Sequence, residues 1–63
     1  MVLRGIVSSI GIEGTRATFP DKENAVSAPL LVAVGVGTLE IGDYIVVVFF
    51  SDNMQDGLIL AKY

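Results

Sequence analysis

The amino-acid sequence predicts an all-β protein, a small barrel of five antiparallel strands that occupies residues 1–63 as one domain. Short runs of β-branched and aromatic residues alternate with Gly, Pro and Asp turn signals. No stretch shows the 3.6-residue apolar period of an amphipathic helix. A chain of 63 residues has room for one core only, and closing the sheet would protect its apolar strand edges.

The first two predicted strands form a hairpin. Residues 2–10 alternate between two faces and are joined to residues 15–19 by a tight turn. Gly5 interrupts the first strand, which indicates a bend, a bulge or a close backbone approach. Pro20 and Asp21 end the second strand, because proline has no N–H to donate and aspartate favours turns.

The middle of the chain supplies the third predicted strand. Residues 21–28 are polar and are predicted to form a loop, in which a single helical turn is possible. Residues 29–34 (PLLVAV) form the third strand, and the glycine-rich residues 35–38 form the next loop.

The last hairpin, residues 39–62, is the segment around which the rest is organised. Gly42-Asp43 predicts a turn. Residues 44–50 (YIVVVFF) then form the fourth strand, and residues 58–60 form the fifth.

Both faces of the fourth strand are apolar, although a small barrel has only one interior. One face must therefore be covered from outside, either by a loop of the same chain or by another copy or partner. We expect association, since a small chain has few loop residues to spare. The predicted oligomer interface consists of Tyr44, Val46, Val48 and Phe50, and the opposite set, Ile45, Val47 and Phe49, is the alternative.

Composition favours association as well. The hydrophobic share is 52% and the mean hydropathy is +0.68, both high for a small domain whose surface should be polar. Because cysteine and histidine are absent, disulfides are excluded and any metal would need oxygen ligands alone. No apolar run approaches the roughly 20 residues of a membrane span, and the N-terminus lacks the apolar core of a signal peptide.

Charge and chemistry exclude other classes of function. Four basic residues against seven acidic ones, with a pI near 4.4, disfavour nucleic-acid binding. Residues 52–57 (DNMQDG) fail the EF-hand calcium pattern, which would need an oxygen ligand at Met54 and an acid at Tyr63. Asp43 and Asp52 bracket the fourth strand, too far apart for acid–base catalysis. The sequence therefore predicts no enzyme, no catalytic residues, no cofactor and no metal site.

Three segments carry a family resemblance: GIVSSIGIEGTRATFPD at residues 5–21, PLLVA at residues 29–33 and LEIGDYIVVVFFSDNMQDGLILAKY at residues 39–63. Together they resemble the OB-fold domain of phage baseplate-assembly and spike proteins, the gpV-like group shared with type VI secretion VgrG proteins. The matching features are Phe19-Pro20-Asp21, the Gly42-Asp43 turn, the apolar strand that ends in Phe50, Asp56-Gly57 and the final apolar strand. Leu30-Leu31 stands where the family often has an aromatic residue.

The resemblance implies an OB-like barrel that acts as a structural component of a phage or prophage tail or baseplate. It implies a homotrimer about the tail axis, other tail or baseplate proteins as partners, and a location in the virion tail after synthesis in the bacterial cytoplasm. Because no β-helical spike or lysozyme domain follows Tyr63, membrane puncture and lytic activity are not expected. Met1 and the full strand set favour an entire small protein, and a domain of a longer one is the alternative.

Two other functions are alternatives to the assembly module. An OB-fold that binds single-stranded nucleic acid needs a basic groove and aromatic stacking platforms, and this chain has no Trp and few basic residues. A small enzyme is the weakest alternative, because neither a nucleophile with its base nor a cofactor motif is present.

Overall fold

The computed structural model describes residues 1–51 and 56–63, and these form one mixed sheet of six strands curled into a half-barrel. The all-β prediction is confirmed, and the helical elements of this part of the chain are two 3-10 helices, Pro20–Lys22 and Val34–Val36. The strands are β1 (Val2–Gly11), β2 (Gly14–Phe19), β3 (Ala25–Val26), β4 (Leu31–Val32), β5 (Tyr44–Phe49) and β6 (Gly57–Lys62).

The sheet has the order β3-β2-β1-β5-β6-β4. The longest strand, β1, lies at its centre and pairs antiparallel with β2 on one side and β5 on the other. The predicted hairpins are both present, since β2 follows β1 and β6 pairs antiparallel with β5. Gly42 lies in the predicted turn with φ of 97°, and its N–H donates to the Val7 carbonyl at 2.8 Å. The turn therefore anchors the entry to β5 against β1.

The prediction of five strands, all antiparallel, is wrong in two respects: the structure has six strands, and β4 runs parallel to β6. The chain between residues 25 and 32 holds both β3, which is antiparallel to β2, and β4, beside β6. An isolated bridge between Leu30 and Thr15 ties this segment to β2 as well. This one segment supplies both edge strands of the sheet, β3 and β4, so a path around the half-barrel passes through five chain segments. With an odd number of segments, neighbouring pairs cannot all be antiparallel. The parallel pair of β4 and β6 is the necessary exception.

The third predicted strand, residues 29–34, is reduced to Leu31–Val32, and the predicted loop before it contains β3. Pro29 has no N–H to donate to a ladder. Past β4, the Ala33 N–H still donates to the Ile59 carbonyl at 2.9 Å, but the Val36 N–H turns back to the Ala33 carbonyl at 3.1 Å. This 3-10 hydrogen bond ends the strand early.

A buried serine fastens the segment before β4 to β2. The Ser27 N–H donates to the Ala17 carbonyl at 2.8 Å, and the Ala17 N–H donates to Ser27 Oγ at 3.0 Å. Ser27 is only 2% exposed, so its hydroxyl satisfies the Ala17 N–H at a position that water does not reach. This reciprocal pair replaces a regular ladder where the strand is interrupted.

The core lies inside the curl and centres on two phenylalanine rings. Phe19 of β2 and Phe49 of β5 meet edge to face, with ring centroids 5.6 Å apart and an interplanar angle of 68°. Each ring lies over a glycine: a Cβ added to Gly5 would lie 2.8 Å from Phe19 Cε1, and one added to Gly57 would lie 2.7 Å from Phe49 Cδ1. Of the three features that Gly5 could indicate (a bend, a bulge or a close backbone approach), the structure shows a close approach, by the Phe19 ring and the Thr18 carbonyl. The buried apolar residues are Val7, Ala17, Phe19, Leu30, Val36, Ile45, Val47, Phe49 and Ile59.

We predict that Gly57→Ala lowers the free energy of unfolding by about 1–3 kcal/mol, because the new methyl group overpacks against Phe49 and Leu30. Gly35→Ala is the matched control, since a Cβ there meets nothing within 4 Å, and it should change stability by no more than about 0.5 kcal/mol. Urea unfolding followed by circular dichroism measures both. Equal stabilities for the two variants would contradict the packing of Phe49 on Gly57.

Candidate interaction surface

The two faces of β5 differ sharply in exposure. Ile45, Val47 and Phe49 point into the core and are at most 3% exposed. On the other side, Tyr44 is 55% exposed, and Val46 and Val48 are half-buried. Phe50, one residue past the strand, is 64% exposed. The structure therefore places the predicted interface set on the outside and the alternative set inside.

The register of the sheet extends this face across four strands. Val2 pairs with Val48, Val48 with Leu58, and Leu58 with Leu31. Residues opposite one another in a sheet point to the same side, so these four side chains form one line, called here the apolar row. Its ends are the most open, with Val2 62% and Leu31 70% exposed.

Two shorter lines lie toward the other end of β5. In one, Arg4 pairs with Val46, which pairs with Ala61; in the other, Ile6 pairs with Tyr44. The apolar row and these two lines together are called the outer face. Sequence analysis found the β5 members but missed Val2, Leu58 and Leu31. Only the strand register brings these three side chains alongside Val48, and a register between distant strands is not visible in one sequence.

Two tyrosines stack where the outer face ends. The Tyr63 N–H donates to the Tyr44 carbonyl at 3.0 Å, which extends the β5–β6 pairing by one residue. The rings of Tyr44 and Tyr63 are 6.0 Å apart between centroids and inclined by 29°. Both side chains are more than half exposed, so the pair presents an aromatic wall to solvent.

Beside this wall lies a cleft of about 160 Å³, called here the Arg4 cleft. Arg4 is exposed, and within the described part of the chain it forms no hydrogen bond or ion pair. Asp21 lines the same cleft and also forms no hydrogen bond or ion pair with the described residues. The arrangement combines an aromatic wall with one cation and one anion that have no partner in residues 1–51 and 56–63. The residues that line the cleft are Arg4, Gly5, Ile6, Pro20, Asp21, Tyr44 and Tyr63.

Of the acidic residues that sequence analysis considered for catalysis, Asp43 has a structural role. Asp43 closes its own turn, because Asp43 Oδ2 accepts from the Glu40 N–H at 2.9 Å while the Asp43 N–H donates to the Glu40 carbonyl at 3.1 Å. Asp52 lies outside the described residues, as does most of the DNMQDG segment. In the described ranges no three acidic side chains converge on a possible metal position. Residues 1–51 and 56–63 also contain no helix long and apolar enough to cross a membrane.

Comparisons with known proteins leave the family open. A scan against protein-family models and searches of curated proteins and of solved structures found no match to this chain. The resemblance to the gpV-like OB-fold domain therefore stays a prediction that rests on the three sequence segments named above.

We predict that threonine substitutions will separate the two faces of β5. Val47→Thr buries a hydroxyl in a site that is 0% exposed and should lower the free energy of unfolding by about 1–3 kcal/mol. Val48→Thr, the neighbouring control on the outer face, should change the stability of the monomer by no more than about 0.5 kcal/mol. Both are measured by urea unfolding at high dilution. A larger loss for Val48→Thr than for Val47→Thr would contradict the orientation of the strand.

Proposed function

We propose that this chain is a non-enzymatic structural module that assembles with copies of itself through the outer face. The observation that carries the proposal is the apolar row, four aliphatic side chains in register across four strands. Monomeric soluble proteins scatter their exposed apolar residues, and an apolar face this continuous is typical of an interface. Within the described residues, Arg4 is the one charged side chain of the outer face.

Size supports the same proposal. The total accessible surface is 4012 Å², and a standard interface covers about 800 Å² per partner, or about a fifth of this total. One face of the sheet is large enough to supply that area. Small domains bury too little surface to be very stable alone, and this one has no disulfide to add support. Association would both cover the apolar row and stabilise the fold.

We further propose that the fold is OB-like and that the assembly is a homotrimer in a phage or prophage tail or baseplate. Support for the OB-like topology comes from the segment that contains β3 and β4. Taken as one interrupted strand, it lies between β2 and β6 and completes a five-stranded, partly open barrel. The tail or baseplate, its other proteins and the route from bacterial cytoplasm to virion rest on the sequence resemblance alone.

A second candidate function has one structural observation in its favour. Tyr44, Phe50 and Tyr63 are exposed aromatic rings, and Arg4 lies close to two of them in the Arg4 cleft. Stacking rings beside a cation is the arrangement that binds single-stranded nucleic acid without sequence preference. The formal net charge of −3 opposes it, because such binding depends on neutralising phosphates.

We predict a discrete oligomer, expected to be a trimer, when light scattering is coupled to size exclusion over a dilution series. Leu31→Asp places a charge at the open end of the apolar row and should weaken self-association at least tenfold. Because Leu31 is 70% exposed, its replacement should leave the monomer folded. Ser9→Asp, at another exposed position outside the outer face, is the control and should assemble like the unmodified chain. A monomer at every concentration would overturn the proposal.

Nucleic-acid binding is tested separately with a fluorescently labelled single-stranded oligonucleotide and anisotropy. We expect no binding at micromolar protein, because the chain is acidic overall. Micromolar binding that weakens with salt and is lost in Arg4→Ala would favour the second candidate over the assembly module.

A further inference from the structure

The turn between β1 and β2 carries an aliphatic residue where turns rarely have one. Gly11 pairs with Gly14, so Ile12 and Glu13 form the two-residue tip of the hairpin. Turn positions favour Gly, Asn, Asp, Ser and Pro. Ile12 is nevertheless fully exposed, and Ile10 just before it is 48% exposed. The hairpin thus presents an apolar side chain that packs against nothing in its own chain.

The Arg4 cleft has the size and lining to receive such a side chain. Its volume is about 160 Å³, close to the ~150 Å³ of an engineered apolar cavity that holds one benzene molecule. Ile6, Pro20 and the two tyrosines give it apolar walls. One branched aliphatic side chain matches this volume.

Charges on the hairpin tip and in the cleft are complementary. Beside Ile12, the Glu13 side chain is 80% exposed and its only ion pair in the described part of the chain is with Arg16, at 3.6 Å. An exposed pair of this kind contributes little and exchanges partners readily. The cleft offers Arg4, which has no partner among the described residues, for Glu13. Arg16 itself lies in β2, and its guanidinium also donates to the Ser27 carbonyl at 3.4 Å.

A hairpin tip cannot reach the cleft of its own chain. Ile12 follows Arg4 by eight residues, which along a strand is about 26 Å at ~3.3 Å per residue. Because β1 is paired with β5 near Arg4 and with β2 from Ile6 onward, it cannot fold back on itself. Any docking of this tip in this cleft must join two different copies.

We propose that the Ile12-Glu13 tip of one copy docks in the Arg4 cleft of the next. This inference rests on the proposed self-assembly and adds to it a contact at the end of the outer face that carries Arg4, Ile6 and Tyr44, without which the apolar row alone does not hold copies together. The contact is heterologous, because each copy gives its tip to one neighbour and its cleft to another. Heterologous contacts close into a ring when the rotation between copies allows it, and a ring of three is the proposed trimer. A two-fold contact of outer face against outer face would instead use the same residues on both copies.

The test mixes two variants that each lack one half of the contact. Ile12→Asp removes the apolar tip and leaves the cleft intact, while Arg4→Glu reverses the charge of the cleft and leaves the tip intact. Both positions are exposed, and circular dichroism checks that both variants fold. Each variant alone should be monomeric where the unmodified chain is a discrete oligomer. A mixture in equal amounts should form a 1:1 heterodimer and nothing larger. The only intact contact in the mixture joins the tip of the Arg4→Glu variant to the cleft of the Ile12→Asp variant.

Other outcomes separate this inference from the proposed function. If Ile12→Asp keeps the oligomer while Leu31→Asp dissociates it, copies associate through the outer face and the tip-to-cleft contact is wrong. Two monomeric variants that stay monomeric when mixed would also overturn the inference, since a two-fold interface cannot be restored by mixing. A monomeric unmodified chain would overturn both proposals. Ser9→Asp, which adds the same charge three residues before the tip, should assemble normally.

Discussion

The packing of two phenylalanine rings on two glycines is the contact on which the curl of this sheet depends. Phe19 lies over Gly5 of β1, and Phe49 lies over Gly57 of β6, so each large ring occupies space that a side chain would otherwise fill. The two rings then meet edge to face, which draws four strands around one small core. A Cβ at either glycine would collide with its ring, so the ring or the strand beneath it would have to shift.

This curl decides which residues are left outside. A sheet that encloses its core on one side sends alternate residues of every strand to the other side. In β5 the inner set is Ile45, Val47 and Phe49, and every residue of the outer set is apolar or aromatic too. Thirteen large apolar or aromatic side chains are exposed in the described part of the chain, against nine apolar residues in the core. A single copy thus has more apolar surface than one interior of this size can hold, and this excess is the physical basis for proposing assembly.

The local features of the fold were predictable from the sequence. The first hairpin, the turn at Gly42, the long apolar strand β5 and the close approach at Gly5 all depend on short-range patterns, and the structure contains each of them. The last strand was placed correctly but is longer than expected, from Gly57 to Lys62, because its pairing with β5 continues past a register shift.

The features that the sequence did not reveal depend on contacts between distant residues. The segment with β3 and β4 is divided because each half pairs with a different edge of the sheet. Its composition shows strand propensity without showing the partner. The parallel pair follows from the odd number of strands around the half-barrel, a constraint of topology and not of local sequence. The Arg4 cleft joins residues from both ends of the chain, and no local pattern connects Arg4 to Tyr63.

The most direct test of the central claim, that burial of the outer face between copies stabilises this small fold, is the dependence of unfolding on protein concentration. Ligands and partner subunits that bind only the folded state shift the unfolding midpoint by mass action. We predict that the urea midpoint, followed by circular dichroism, rises steadily as the protein is concentrated from the nanomolar to the high micromolar range. A midpoint that does not change over that range would show that the chain is stable alone with its outer face in water, and the account would be wrong.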